Sequence, residues 1–356
     1  MEDREISDIL IRWYEENKRD LPWRRTSDPY LIWVSEIILQ QTRVVQGLEY
    51  FNRFTERFPD VATLAAANED EVMKYWQGLG YYSRARNLHA AARQIMSNFG
   101  GIFPRTREEV LSLKGIGDYT AAAICSFAYR LPYATVDGNV FRVLSRLFDI
   151  DLPIDGGEGK KYFAALAQSL LDERHPDLFN QAMMEFGALQ CVPKSPDCEC
   201  CPLSGKCLGL VARRVEQLPV KSGKTVVKPR YFNYLYIHGQ GMTLLSKRIG
   251  NDIWRNLYEF PLIETDHAVT WKELSGMAAF QELFDNIDDV EITKEYVAKK
   301  HVLSHRVIYP VFYEIRVNTF SESMEKYLVV PDDQVGEYAV SRLIQAYLEV
   351  RDGLLF

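Results

Sequence analysis

The sequence predicts two domains of different class, an all-α domain followed by an α+β domain. Through residues 1–210, apolar residues recur at helical spacing among frequent Ala and Leu, and Gly and Pro interrupt the pattern repeatedly. From residue 231 onward the pattern changes to short runs rich in aromatic and β-branched residues. The chain has 356 residues, of which 47% are hydrophobic and 26% charged, so it is long enough for two cores.

A basic linker, residues 211–230, is predicted between the two domains. It holds six Lys and Arg residues against one Glu, together with Pro219, Ser222, Gly223 and Pro229. This composition is typical of a solvated connection, and its charge suits a position near a phosphate backbone. The domain that follows, residues 231–356, is predicted to have strands at 231–237, 242–246 and 306–317 and helical segments at 271–284 and 334–349.

Neither a membrane span nor an export signal is expected. A membrane-spanning helix needs about 18 or more apolar residues in a row, whereas the longest apolar run, residues 121–129, ends at Arg130. The first residues carry alternating charges and no apolar core of a signal sequence. We therefore expect a soluble, intracellular protein.

Positive charge is concentrated locally, although the net charge of −7 argues against a nucleic-acid partner for the chain as a whole. Residues 72–107 contain six Lys and Arg residues and no acid. They form either a phosphate-facing surface or a solvated helix face that pairs with acids from elsewhere. The six are Lys74, Arg84, Arg86, Arg93, Arg105 and Arg107.

Five of the six cysteines fall between residues 191 and 207, which indicates a metal centre. The spacing Cys191-x6-Cys198-x2-Cys201-x5-Cys207 offers four thiolates on one short segment, and Cys200 is a surplus candidate. A zinc ribbon usually pairs two Cys-x-x-Cys motifs, and only one is present here. The spacing therefore favours a [4Fe–4S] cluster over zinc.

Residues 111–124 join two helical patterns through Gly115-Ile116-Gly117. A turn of this kind directs amides outward at the start of the next helix, where they bind a phosphate, although an ordinary helix connection has the same pattern. This turn, then Asp137, then the four cysteines form an order that resembles the endonuclease III superfamily of helix-hairpin-helix glycosylases.

Four further blocks are similar to the adenine DNA glycosylases of that superfamily, which remove adenine mispaired with 8-oxoguanine. They are Leu-Pro-Trp-Arg at 21–24 and the segments 35–42, 78–89 and 179–187. The resemblance implies a six-helix module over 21–130 that contains the hairpin, and a cluster-bearing helical module over 1–20 and 131–210. It also implies that double-stranded DNA is the partner.

Two carboxylates are candidates for the chemistry. Glu36 lies in the apolar helical run 30–39, a setting that raises a carboxyl pKa and suits a general acid, unless the residue lies at an exposed helix edge. The resemblance makes Glu36 the acid for adenine N7. Without the resemblance, Asp137 could equally be a structural residue, either a helix N-cap or a turn residue before Gly138. The resemblance makes it the carboxylate that stabilises the oxocarbenium sugar, electrostatically or through a transient covalent bond.

The departures from the superfamily pattern predict a monofunctional enzyme. Members with strand-nicking lyase activity have a Schiff-base lysine where this chain has Tyr119, and Phe141 stands where some adenine glycosylases have a lysine. Tyrosine and phenylalanine form no imine. We therefore expect water as the final nucleophile, with Tyr119 and Asn139 as supporting active-site residues.

The adenine must leave the duplex before its bond to the sugar is cut. By resemblance Gln41 and Tyr81 intercalate. Without the resemblance, Tyr81 is equally typical of a core aromatic residue, and Glu185, discussed next, is typical of an acid on a helix surface. The residues that the resemblance assigns to the adenine pocket are Arg19, Leu21, Trp23, Arg24 and Glu185. The candidates for DNA binding are Gln41, Thr42, Tyr81, Arg84, Arg86, Gly115 and Gly117.

Residues 250–261 and 300–306 resemble the C-terminal module of the same glycosylases, which is related to Nudix hydrolases and recognises 8-oxoguanine. No Arg-Glu-x-x-Glu-Glu metal-binding helix is present, so pyrophosphatase activity is not expected. The family's Phe-Ser-His loop is Leu303-Ser304-His305 here. Leu303 can still act as a wedge and the two polar residues can contact the oxidised base, although they also read as ordinary strand-end groups.

The sequence thus predicts a monomeric, cytoplasmic enzyme, associated with the nucleoid if bacterial, that excises adenine opposite 8-oxoguanine or G. Two alternatives stay open. One is a pyrimidine glycosylase with lyase activity of the endonuclease III type, and the other is a non-catalytic iron–sulfur DNA-binding module.

Overall fold

The computed structural model describes residues 2–223, 227–285, 287 and 290–353, so residues 224–226 of the predicted linker lie outside the described residues. The chain divides into two compact units. The first consists of Met1–Ala66 and Asn87–Lys224, and the second of Ala67–Arg86 and Thr225–Phe356. Residues 67–86, which the sequence groups with the six-helix module, thus cluster with the C-terminal residues. Within the described ranges, no helix is both long and apolar enough to cross a membrane.

The expectation that residues 1–210 are helical is confirmed. Two short 3-10 helices, Pro22–Arg24 and Ser204–Lys206, occur among the α-helices. The α-helices are α1 (Glu2–Asn17), α2 (Pro29–Leu39), α3 (Val44–Arg57), α4 (Val61–Ala66), α5 (Glu69–Trp76), α6 (Ser83–Asn98), α7 (Arg107–Leu111), α8 (Asp118–Tyr129), α9 (Gly138–Leu147), α10 (Gly157–Leu170), α11 (Pro176–Leu189) and α12 (Leu208–Val211).

Helix α2 lies in the interior of the first unit because most of its side chains are apolar. Asp28 caps its N-terminus by accepting a hydrogen bond from the Tyr30 amide, and Pro29 occupies the first turn, where no backbone donor is needed. Trp33 and Val34 are fully buried, and the helix packs against α3 and α8. A polar residue on α2 is therefore surrounded by core.

Helices α9 and α11 form a second core with α1 and α10. Val140, Leu144 and Phe186 are among its buried residues. The N-cap of α9 is Asp137, whose side chain accepts from two amides of the first turn. This cap brings the start of α9 to the same cleft as α2, which the next subsection describes.

The second unit contains a mixed sheet, as expected. Its strands are β1 (Lys228–Gly239), β2 (Met242–Lys247), β3 (Tyr258–Glu259), β4 (Leu262–Thr265), β5 (Glu291–Val297), β6 (His301–Val302), β7 (Arg306–Arg316) and β8 (Leu328–Pro331). The order along the sheet is β3-β2-β1-β7-β5, with β4 also paired to β1, β6 to β7 and β8 to β2. The central pair, β1 with β7, is parallel from Lys228↔Arg306 to His238↔Arg316.

Both faces of this sheet are covered, because the buried residues of β1 alternate between them. Phe232, Tyr234 and Tyr236 belong to the core that includes Leu343 and Ile344 of helix α15 (Arg342–Arg351). Leu235 and Ile237 belong to the core under two short helices, α13 (Trp271–Ser275) and α14 (Ala278–Leu283).

Two helix boundaries differ from the expectation. The predicted helical segment 271–284 is broken into α13 and α14, because Gly276 ends the first helix and Met277 begins the next in extended conformation. The segment 334–349 starts as a 3-10 helix, Asp332–Glu337, and becomes α-helical only after Ser341, which caps α15. In the second segment the Ser341 cap, which accepts from the Ile344 amide, therefore overrides the apolar spacing. In the first segment no side chain caps the start of α14, and the extended backbone of Met277 marks the break.

Candidate active site

A cleft of about 800 Å³ opens in the first unit between α2, α8, α9 and α11. Four of its lining residues are the predicted catalytic ones, Glu36, Tyr119, Asp137 and Asn139. The predicted DNA contacts Gln41 and Thr42 also line it, and so do all of the residues assigned to the adenine pocket, namely Arg19, Leu21, Trp23, Arg24 and Glu185. The fold thus brings residues from positions 19 to 185 to one cavity.

Glu36 is a buried acid in this cleft. Its residue surface is only 6% exposed, and the Tyr119 hydroxyl donates a hydrogen bond of 2.8 Å to its Oε2 atom. Burial raises the pKa of Glu36 to about 7; the hydrogen bond from Tyr119 acts in the opposite direction, and the nearby Asp137 adds to the increase. A carboxyl with this pKa can hold and release a proton near neutral pH.

Asp137 is held from three sides at the N-terminus of α9. Its Oδ1 atom accepts from the amides of Asn139 (2.9 Å) and Val140 (2.8 Å), and its Oδ2 atom accepts from Asn139 Nδ2 (2.7 Å). Burial raises the pKa of Asp137, while these hydrogen bonds counteract that effect. The helix N-terminus also favours a negative charge here, so the residue is both an N-cap and a fixed carboxylate facing the cleft.

A chain of hydrogen bonds runs from Asp137 to the cysteine-rich segment. Arg142 Nη2 donates to Asn139 Oδ1 (2.8 Å) and to the Gly187 carbonyl (2.6 Å), and Arg142 Nε donates to the Cys191 carbonyl (2.7 Å). One helical turn later, Arg146 Nη1 donates to the Cys191 Sγ atom (3.4 Å). These two arginines were not singled out from the sequence; their spacing of four residues on one face of α9 is the signal that was present.

Glu185 anchors two arginines in the same cleft. Arg19 Nε and Nη2 donate to its two oxygens at 2.8 and 2.5 Å, and Arg24 Nη1 and Nη2 donate to the same oxygens at 2.9 and 2.7 Å. Burial acts to raise the pKa of Glu185, but the bonds from both arginines outweigh it and lower the pKa to about 2. Glu185 is therefore a permanently charged buried group, not a helix-surface acid.

The four predicted cluster ligands, Cys191, Cys198, Cys201 and Cys207, line one cavity of the first unit. Apolar side chains such as Val143, Leu147 and Phe186 complete its wall. The exposed Cys200 does not line this cavity. In the part of the chain that the structure describes, no group of three or more His, Cys, Asp or Glu residues is positioned to hold a metal ion.

The Gly-x-Gly turn between α7 and α8 depends on its first glycine. Gly115 has a φ of +78°, and a Cβ atom there would come within 2.6 Å of Asn87 Cβ. Gly117 is the N-cap of α8, so the amides of the first turn of that helix follow it directly. A helix start of this kind can bind an anion, and the phosphate contact at Gly115 and Gly117 stays a prediction.

Gln41 follows α2 in the left-handed conformation, with a φ of +57°. Its side chain is exposed at the cleft, and Thr42 beside it is half-buried. Left-handed backbone at a non-glycine residue costs free energy, and such residues are found in turns and are enriched at functional sites.

Tyr81 has the same left-handed backbone in the second unit, with a φ of +47°, and it follows two glycines, Gly78 and Gly80, with positive φ. Its side chain is 50% exposed. Arg84 is buried and donates to the Gly80 carbonyl at 3.1 Å. Arg84 therefore supports this turn and has little surface left for the phosphate contact predicted for it, whereas Arg86 donates to the Arg255 carbonyl at 2.7 Å.

The predicted 8-oxoguanine loop connects β6 to β7. Leu303 is partly buried against the core under α15, whereas Ser304 and His305 are exposed. The Ser304 Oγ atom lies 3.5 Å from the Tyr81 hydroxyl oxygen. The second unit thus brings together Tyr81 and Ser304, two predicted DNA contacts that are 223 residues apart in sequence.

Two protein-family profiles match the chain. The HhH-GPD superfamily of base excision DNA repair proteins matches residues 34–168, and the NUDIX domain matches residues 233–350. Among solved structures, a thermostable thymine-DNA glycosylase is 30% identical with a TM-score of 0.54, over 59% of this chain and 98% of that chain. A trapped endonuclease III–DNA covalent intermediate shares the fold at 22% identity, with a TM-score of 0.52 and coverage of 59% and 98%.

Among curated proteins, the adenine DNA glycosylase of Buchnera aphidicola subsp. Baizongia pistaciae is 33% identical over 324 residues, which are 88% of each chain. The adenine DNA glycosylase of Homo sapiens is 42% identical over 217 residues, which are 58% of this chain and 39% of the human protein. The chain therefore belongs to the adenine DNA glycosylase family and is a base excision repair glycosylase that acts on DNA.

Proposed function

We propose that this protein is a monofunctional glycosylase that excises adenine mispaired with 8-oxoguanine or G. The observation that carries the proposal is the pair of carboxyl groups in one cleft: Glu36, which is buried and whose pKa burial raises to about 7, and Asp137, whose two oxygens are fixed by hydrogen bonds at the N-terminus of α9. Glycoside hydrolysis uses two carboxyl groups in this way, one as an acid and one as a base, nucleophile or anion.

Glu36 supplies the proton in the first step. Its Oε2 atom accepts a hydrogen bond from the Tyr119 hydroxyl, so the acid proton is carried by Oε1. When that proton moves to adenine N7, the bond between N9 and C1′ breaks and its electron pair goes to the base. Neutral adenine is then the leaving group, and Glu36 becomes a carboxylate.

Asp137 stabilises the positive sugar that remains. Its carboxylate needs no reorganisation during the reaction, since both oxygens are already fixed by α9 and Asn139. Water then adds at C1′, and its proton passes to a carboxylate of the cleft. Tyr119 stands where a lyase would need an amine, so no imine forms with the sugar and the strand stays intact.

Recognition of the base opposite the adenine is assigned to the second domain, residues 231–356. The 3.5 Å separation of Tyr81 and Ser304 supports this, because a duplex that meets the intercalating tyrosine also meets the 303–305 loop. Ser304 and His305 offer a donor or acceptor to the edge of an oxidised purine.

The cysteine cavity suits a [4Fe–4S] cluster and not a single metal ion, because the cluster binds each thiolate through a different iron and so needs its ligands farther apart than one ion does. Four thiol groups line it, the rest of the wall is largely apolar, and the Arg146 guanidinium on Cys191 would offset part of the charge of a thiolate-bound cluster. Cys191, Cys198, Cys201 and Cys207 would hold the cluster, which would tie together the segment from α11 to α12.

Single-turnover base release tests the proposed activity. Matched duplexes would carry A opposite 8-oxoguanine, A opposite G, A opposite T, and thymine glycol opposite A. We expect the fastest release from A opposite 8-oxoguanine, slower release opposite G, and strand cleavage only after alkali. Release of thymine glycol with spontaneous strand cleavage and borohydride trapping would establish the pyrimidine glycosylase alternative instead.

Metal analysis of the purified protein tests the cluster. We expect four iron atoms per chain, and Cys198→Ser to lose iron while Cys200→Ser, the matched control, keeps it. One zinc atom per chain, or equal loss of iron in both variants, would contradict the assignment.

A further inference from the structure

Within the second unit, helix α5 is held to the C-terminal residues by polar contacts at both of its ends. At the N-terminal end, Asp70 accepts a hydrogen bond from the Tyr258 hydroxyl (3.0 Å) and pairs with the Lys247 ammonium group, and Asn256 donates to Glu69. The acids lie in the first turn of α5, where the helix dipole favours them. The same acids therefore serve both the helix and the contact.

The C-terminal end of α5 is attached through backbone groups. The Gln77 side-chain oxygen accepts from the Val340 amide at 3.1 Å, and Lys74 donates to the carbonyls of Gly336 and Tyr338. Contacts at both ends fix the orientation of the helix as well as its distance from the sheet.

The turn that follows α5 carries Tyr81. Its backbone is defined by positive φ angles at Gly78, Gly80 and Tyr81, and by Arg84, which holds the Gly80 carbonyl. The end of α5 is joined to the same turn, because Trp76 Nε1 also donates to the Gly80 carbonyl at 3.2 Å, so the position of Tyr81 depends on that of α5.

The residues that α5 contacts at its N-terminal end are connected in turn to the segment that carries Ser304. Trp254 and Asn256, both with left-handed backbone, belong to the loop that meets Glu69 and Arg86. The Trp254 ring packs against the His301 ring at 5.7 Å, and His301 begins the short strand that precedes the 303–305 loop. Strained backbone of this kind persists where surrounding contacts determine it.

We propose that Asp70 is a positioning residue for recognition of the base opposite the adenine. Through Tyr258 and Lys247 it sets where Tyr81 lies relative to Ser304, and so how well both contact the same duplex. The inference rests on the proposed function, since it names a residue that sets the specificity of that activity.

A role in positioning differs from a role in stability. The side chains of Asp70 and Lys247 are 38% and 33% exposed, and an ion pair at that exposure contributes little to folding. A displacement of about 1 Å at a recognition site, however, is enough to weaken contacts that depend on geometry.

The test compares duplexes that contain 2′-fluoroadenosine, which resists excision, opposite 8-oxoguanine or opposite G. The preference is the Kd for the G duplex divided by the Kd for the 8-oxoguanine duplex. For Asp70→Ala we expect this ratio to fall about five- to tenfold, while the Kd for the G duplex stays within about twofold of wild type. Single-turnover excision of ordinary adenine should lose preference by a similar factor. Melting temperature checks that the variant is folded.

Glu108→Ala is the matched control, since Glu108 is an exposed acid in the first turn of α7, and it should keep the wild-type preference. Combining Asp70→Lys with Lys247→Asp restores the ion pair and should regain at least half of the lost preference. An unchanged preference in folded Asp70→Ala, or an equal loss of affinity for both duplexes, overturns the inference. A wild-type protein that shows no preference and no adenine release would refute the proposed function itself.

Discussion

Two buried glutamates line one cleft and have opposite protonation behaviour. Glu36, which is 6% exposed, meets the Tyr119 hydroxyl and apolar neighbours on α2, and its pKa rises to about 7. Glu185, which is 1% exposed, meets two arginines, and its pKa falls to about 2. Burial alone therefore does not decide whether a carboxyl is neutral or charged, because fixed cations reverse its effect.

The two sides of the cleft consequently have different roles. The side with Glu36 can give and take a proton, whereas the side with Glu185 holds Arg19 and Arg24 at fixed positions in the part of the cleft that we propose binds the adenine. A substitution of Glu36 should therefore impair proton transfer, and a substitution of Glu185 should impair the positions of Arg19 and Arg24.

The largest expected effect comes from Glu36→Gln, which removes the acid but keeps the shape and the acceptor for Tyr119. Single-turnover release of adenine should fall about 10²- to 10⁴-fold, the range that general acid catalysis contributes. Duplex binding should stay within a few-fold of wild type. Release at the wild-type rate would show that another group protonates the base.

Glu185→Gln should have the next largest effect, on folding. It leaves two arginines without their anion, and we expect a loss of about 3 kcal/mol in the free energy of unfolding at pH 7. Because the folded-state pKa of Glu185 is depressed, its contribution is present above about pH 4.5 and is lost as pH falls towards 2. Urea unfolding at several pH values measures both effects.

Glu158→Gln provides the comparison for that experiment, since Glu158 is an exposed acid in the first turn of α10. It should change the free energy of unfolding by less than about 0.5 kcal/mol. Equal effects of the two substitutions would mean that the arginine pairs add nothing to stability.

Glu36 should show the opposite pH dependence. Its raised pKa means that its contribution to stability is complete below about pH 4.5 and is lost as pH rises through about 7. Glu36→Gln should therefore unfold like wild type at pH 4 and be more stable by about 3 kcal/mol at pH 8. A variant that is less stable at pH 8 would indicate that Glu36 is ionised and paired.

The smallest effect is expected from Tyr119→Phe. The lost hydrogen bond normally lowers the pKa of Glu36, so the pKa should rise and the alkaline limb of the excision rate should move up by less than about one pH unit. Tyr129→Phe, on the same helix but bonded to the Phe103 carbonyl, should leave the limb in place. An alkaline limb that does not move would mean that Tyr119 does not act through Glu36, and a downward shift would contradict the predicted direction.

The local pattern around Glu36 allowed either a buried acid or an exposed helix edge, and the structure shows the buried one. The two interpretations of Asp137, as a helix cap and as a functional carboxylate, are compatible, because the cap fixes Oδ1 and the Asn139 side chain fixes Oδ2. In the second domain the same kind of pattern predicted β1, β2 and β7 but not the other described strands, and the start of α15 depended on the cap at Ser341.

Contacts between distant residues could not be predicted in this way. Arg19 and Glu185 are 166 residues apart, and Asp70 and Tyr258 are 188 apart. In sequence Glu185 and Asp70 look like ordinary helix acids, since spacing along a helix says nothing about which arginine or tyrosine the fold brings to them. Arg84 is the reverse case. In sequence it belongs to a basic stretch that suggests a DNA contact, but in the structure it is buried and donates to the Gly80 carbonyl.

The most direct test of the contrast between the two glutamates is a pH titration followed by carbon-13 NMR of protein with carboxyl-labelled glutamate. Signals missing from Glu36→Gln and Glu185→Gln assign the two residues. We predict that Glu36 titrates near pH 7 and that Glu185 stays ionised down to about pH 3. Titration of both residues between pH 4 and 5, the ordinary range for glutamate, would contradict the account.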